Sequence, residues 1–160
     1  MNIFQRGVLA SALLLAAVAA PASASAAGKL EIRDAWIRSA PPNAMMLAGY
    51  ATLHNTGDAP ITIRTVKAQG FDDTSLHETV LVGDVSQMRS IEKLTIAPDE
   101  SVNFAPGGKH IMLMQPTTSP HPGDHVAITF GFADGGDQSA DFVIRDVAPD
   151  AKTNAGHDQH

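Results

Sequence analysis

Two histidines and two methionines in this chain, His77, Met88, His110 and Met112, stand at spacings that β-structure would turn into two His-Met pairs. In "PGGKHIMLM", residues 106–114, a Pro-Gly-Gly turn leads into a run where His110, Met112 and Met114 occupy alternate positions. Strand side chains have a period of two, so these three share a face. In "HETVLVGDVSQM", residues 77–88, Gly83-Asp84 reads as a two-residue hairpin turn, with glycine first as a type II′ turn requires. That turn pairs Val82 with Val85 and Thr79 with Met88. His77 then lies diagonal to Met88 on one face, roughly 7–8 Å away at the backbone, where both side chains can reach one ion.

Two imidazoles and two thioethers select a chemistry. Thioether sulfur is soft and neutral; it suits Cu(I) and is a poor ligand for zinc, magnesium or calcium. Imidazole suits copper as well. The sequence has no cysteine, which rules out a blue-copper centre, a thiolate nucleophile and any disulfide. What remains is a site that holds Cu(I) without cycling its oxidation state and releases it more readily than thiolates would. Imidazole binds metal only when neutral, so the grip should loosen in acid.

The elements that must position these residues all read as strands. They are residues 31–38, 47–55, 60–68, 74–80, 85–91, 100–105, 110–115, 125–133 and 140–147, most of them alternating or β-branched and bounded by Gly, Pro, Asn or Asp. The links are short, such as "NTGDAP", "PGG" and "DGGDQS". No segment after the N-terminal region carries a sustained stripe of helical period, and there is no internal repeat. This predicts a single all-β domain, a sandwich or barrel, over residues 27–147.

Residues 1–26 read as a cleaved secretory signal: a basic n-region ending at Arg6, an apolar stretch, then an A-x-A site at Ala24-Ser25-Ala26. The apolar stretch is too short to span a bilayer, and without a cysteine nothing anchors the chain through a lipidated thiol. A periplasmic location follows, with no membrane insertion of the mature chain. Loss of Arg6 makes the mature chain more acidic than the net charge of −6 for the whole sequence, which argues against nucleic acid as a partner. Residues 148–160, "APDAKTNAGHDQH", lack large apolar side chains and read as a disordered tail. Its His157 and His160, with Asp158, are nitrogen and oxygen donors suited to a second site, for Cu(II).

The spacing of His77, Met88, His110 and Met112, together with "WIRSAPP", "GYATLHNTGDAP", "LHE" and "PGGKHIMLM", resembles the periplasmic copper chaperone family PCuAC over about residues 30–147. The resemblance implies a cupredoxin-like Greek-key β-sandwich and delivery of copper to an acceptor, such as a cytochrome c oxidase subunit or another copper chaperone. Many relatives carry an extra Met or His after the first His; here Glu78-Thr79 stands instead, so no additional ligand is expected there.

Other candidates point elsewhere. Met114 is expected to pack behind the site, Met45 and Met46 at a loop-to-strand junction where one could shield the metal, and His54 at a strand end. "HPGDH", residues 121–125, is a turn, not a helical zinc-protease motif. No G-x-S-x-G marks a hydrolase. The chain thus reads as a non-enzymatic carrier of Cu(I). The competing class is a metal-free structural or adhesive β-sandwich.

Overall fold

A computed structural model describes residues 29–146. Residues 1–26, read above as a secretory signal, and the tail with His157 and His160 therefore lie outside the described residues. Ten strands follow in order: β1 Leu30–Arg38, β2 Met46–Asn55, β3 Ile61–Ala68, β4 Phe71–Val82, β5 Val85–Ser90, β6 Leu94–Ile96, β7 Ser101–Phe104, β8 Lys109–Pro116, β9 His125–Phe132 and β10 Asp137–Arg145. Nine match the strands expected from sequence. The tenth, β6, is three residues long, too short for alternation to stand out. Leu94 and Ile96 nevertheless point inward around an exposed Thr95, and they pair with Ile63 and Ile61 of β3.

The strands form one sheet in the order β5-β4-β8-β7-β2-β1-β10-β9-β3-β6, with β8 also pairing β2. Neighbours are mostly non-consecutive in sequence, as Greek-key connections produce, and the β1–β10 pairing is parallel. The sheet curls until β3 and β4 meet. There the Ala68 amide donates to Thr74 Oγ1 at 3.1 Å. One core fills the interior, built on Ile37, Leu53, Phe104, Ile111, Leu113, Phe130, Phe142 and Ile144. Buried Asn55 ties strands together at one end: its amide donates to the carbonyls of Ala59 and Ile96 at 2.8 and 3.0 Å, and its Oδ1 accepts from Gly57 at 2.9 Å.

A β-bulge in β1 decides what lies on the outer face. Between Arg33 and Trp36 the register against β2 slips by one residue, with Asp34 at φ 52°. Such an insertion re-aims the side chains after it. Ile37 consequently enters the core, and Trp36 turns outward with Arg38. Trp36 is covered there by Tyr50 of β2, ring centroids 4.9 Å apart, and the Arg38 guanidinium lies 5.9 Å from both rings.

Candidate metal centre

On β8 the alternation is complete. Ile111 and Leu113 face the core at 0% exposure, so His110, Met112 and Met114 take the opposite face. On β4, Leu76 points inward and Ser75, His77 and Thr79 outward. The β4–β8 register sets His77 directly opposite His110 and Ser75 opposite Met112. The two imidazole centroids are 5.9 Å apart with planes inclined by 31°. Beyond β4, the β4–β5 hairpin pairs Val82 with Val85 and Thr79 with Met88, as the Gly83-Asp84 turn predicts. Gly83 has φ 63°, the left-handed geometry that a type II′ turn needs at its first position.

His110, Met112, Met88 and Thr79 share the lining of a surface depression of about 350 Å³, with Arg38, Met46, Ala48 and Tyr50 on its other side. His77 is not part of that lining; it stands across from His110. Met88 is half exposed on β5, whose six residues are all exposed. Met114, half-buried, faces Met46 across β2 and Asp73 across β4. It shares Met112's face one step farther from His110, outside the depression.

The hydrogen bonds decide which ring nitrogens are free. His110 Nδ1 lies 3.1 Å from the carbonyl of Gly108. A carbonyl only accepts, so the proton sits on Nδ1 and the Nε2 lone pair is available to a metal. His77 Nε2 lies 3.0 Å from Ser75 Oγ, while its Nδ1 is buried with no partner. A buried N–H without an acceptor costs more than a buried lone pair that could meet an ion. The tautomer with Nε2–H donating to Ser75 is therefore favoured, leaving Nδ1 as the donor atom. No group of three or more His, Asp or Glu capable of holding a metal occurs among the described residues. The donor set on this face is thus imidazole plus thioether, matched to a soft ion.

Burial is the main cause that pushes the His77 imidazole below its ordinary value of 6.5; the charge of His110 acts the same way, and Asp73 opposes. A lowered folded-state value means that the unfolded chain binds the proton more readily. The stability supplied by neutral His77 is present above its ordinary value and is lost as pH falls through the folded one. The melting temperature of the apo domain should therefore drop between about pH 7 and pH 5, and less steeply in His77→Gln. Equal slopes in melting curves of the two proteins would remove His77 as the cause.

The remaining candidates are spread over the surface. Glu78 points away from His77 and pairs with Lys109 at 3.7 Å, so it adds no donor to this face. His54 Nδ1 contacts Ser101 Oγ at 2.9 Å. In the turn before β9, the His121 amide donates to Asp124 Oδ2 at 2.8 Å, and His125 pairs with Asp141. Sequence reasoning left Arg38 and Tyr50 outside the site. No local signal placed them there: their position follows from the β1 bulge and from the pairing of Trp36 with Tyr50.

The fold and this face define a class: an all-β, cupredoxin-like domain presenting imidazoles and thioethers on one face. The chain belongs to the family described as "Putative lipoprotein LpqE-like", which it matches over residues 30–144. It is 28% identical to Lxx21020 of Leifsonia xyli subsp. xyli (strain CTCB07), which carries the same lipoprotein designation, over 89% of this chain and 90% of that one. Among solved structures it resembles the apo PmoF2 PCuAC domain, at 25% identity and TM-score 0.60, covering 79% of this chain and 95% of that one. The solution structure of CuI-DR1885 from Deinococcus radiodurans is similar at 24% identity and TM-score 0.61, covering 78% of this chain and 83% of that one. These likenesses define the fold.

Proposed function

We propose that the protein is an exported copper chaperone, not an enzyme, that carries Cu(I) between His77, Met88, His110 and Met112. One observation carries the reading: β4, β5 and β8 bring two imidazoles with free lone pairs and two thioethers onto one face, three of the four around a single open depression. Its likeness to a structure named for bound Cu(I) supports the cargo, and the lipoprotein designation of its relative supports export. Without a cysteine in the sequence, this chain would work as a free periplasmic carrier, not a thiol-lipidated one.

The chemistry is ligand exchange. Neutral donors leave the ion its single positive charge, so no proton need move when a thioether is displaced. The depression is open, and an acceptor's donors can enter while His110, the most enclosed ligand at 7% exposure, still holds. The acceptor would be a protein with a copper site to fill, such as a cytochrome c oxidase subunit or a second copper chaperone.

Met112→Leu tests the site. The swap nearly conserves volume and should cost under about 1.5 kcal/mol of stability. It removes a soft donor, so the Cu(I) dissociation constant, measured against a competing chelator, should rise at least about tenfold, the usual lower cost of disturbing a metal's ligand environment. An unchanged constant would reduce Met112 to packing; absence of Cu(I) binding by the unmodified domain itself would favour the metal-free binding module.

A further inference from the structure

Met46 is a large apolar side chain left 55% exposed, and it lines the same depression as Met88, His110 and Met112. Isolated exposed methionines need no explanation; this one sits among the donors of a soft-metal face. It opens β2, and the register explains its reach. Ala48 lies directly opposite Met112, and Met46 lies opposite Met114. Met46 is thus a diagonal neighbour of Met112, within the span that long side chains bridge on one sheet face. Ala48, opposite Met112, carries only a methyl and lines the same depression. In strand order, Met88 approaches β8 from the β4–β5 side and Met46 from the β2 side.

We propose that Met46 is a third thioether donor, a relay ligand that takes hold of Cu(I) when Met88 lets go. This rests on the Cu(I) reading above. In the exchange one copper–sulfur bond to Met88 breaks and one to Met46 forms. Both sulfurs are neutral thioethers, so copper stays Cu(I) and no proton or electron is transferred. The two sites of attachment differ in support: Met88 is on the outermost strand, with no neighbour beyond it among the described residues. Met46 opens β2, a strand inside the sheet, and pairs with Met114 of β8. A relay from the sheet edge to its interior keeps the ion coordinated while an acceptor displaces Met88. Methionine's flexible, polarizable side chain suits that role.

The test uses the domain with carbon-13-labelled methionine methyls, titrated with Cu(I) under reducing conditions, alongside Met46→Leu and Met88→Leu. The expected result is that the methyl signals of Met88, Met112 and Met46 all shift on adding one equivalent, while Met45 stays in place. The Met46 shift should grow in Met88→Leu. In Met46→Leu, Cu(I) affinity should hold within a few-fold, but transfer to a competing chelator should slow several-fold. Met88 and Met112 shifting with Met46 unmoved in both backgrounds would overturn the relay and leave the copper site standing. No methionine shifting at all would overturn the copper site, and the relay with it. Unslowed transfer from Met46→Leu would likewise reject a relay role.

Discussion

His110→Leu should abolish tight Cu(I) binding while leaving the sheet folded. His110 is the donor with the least freedom. Its ring is 7% exposed, its Nδ1–H is spent on the Gly108 carbonyl, and it stands at the centre of the face, opposite His77 and two positions from Met112. Disturbing an outer partner of a metal ligand costs about 10–100-fold in affinity, so losing the ligand itself should exceed about 100-fold. The structural cost is small by comparison. The Gly108 carbonyl that His110 leaves behind still accepts from the Thr79 amide at 3.1 Å, so no buried acceptor is orphaned. What is lost is one hydrogen bond, worth about 0.5–1.5 kcal/mol, offset in part by the apolar leucine. Competition titrations would show the affinity, and circular dichroism the fold. Wild-type Cu(I) affinity in a folded His110→Leu protein would move the metal site off this face.

Much of this arrangement was legible in the residues because β-structure converts spacing into direction. The alternation in "HIMLM" separated Ile111 and Leu113 from His110 and Met112, and the Gly83-Asp84 turn fixed the Thr79–Met88 pairing. The pairing of β4 with β8 was a different matter. These strands are separated in the chain by β5, β6 and β7, and no local rule sets their register. That register, and with it the placement of His77 against His110, is enforced by where Leu76 and Ile111 must go in the core. The contribution of β2 was likewise hidden. "NAMMLAGY" shows two methionines but not which of them shares a face with His110 and Met112. Only the pairing of Leu47 with Leu113 and Gly49 with Ile111 settles that: burying Leu47 turns Met46 and Ala48 outward. The bulge at Asp34-Ala35 left no clear mark, since aspartate at positive φ is uncommon but permitted.

Ile111→Ala should show the mirror image of His110→Leu, although the two residues are neighbours in the chain. Ile111 is fully buried and belongs to the core face of β8, across from Leu76 on β4 and Gly49 on β2. Truncation of a buried isoleucine costs about 2–5 kcal/mol, depending on how far the surroundings collapse. Collapse is restricted here. Gly49 has no side chain to move, and the position a Cβ would take there already lies 3.4 Å from Ile111 Cβ and 3.3 Å from Leu113 Cδ1. The loss should therefore fall in the upper half of that range, lowering the melting temperature by on the order of 10–20 °C. Cu(I) affinity, measured where the variant is still folded, should change little, because none of His77, Met88, His110 and Met112 loses a neighbour on its own face. A ligand that binds only the folded state adds stability in proportion to the logarithm of its concentration over its dissociation constant. Cu(I) should therefore raise the melting temperature of Ile111→Ala by about as much as it raises that of the wild type, and that of His110→Leu hardly at all. If Ile111→Ala lost Cu(I) affinity along with stability while still folded, the two faces of β8 would not be independent. The metal site would then depend on core packing for more than its position.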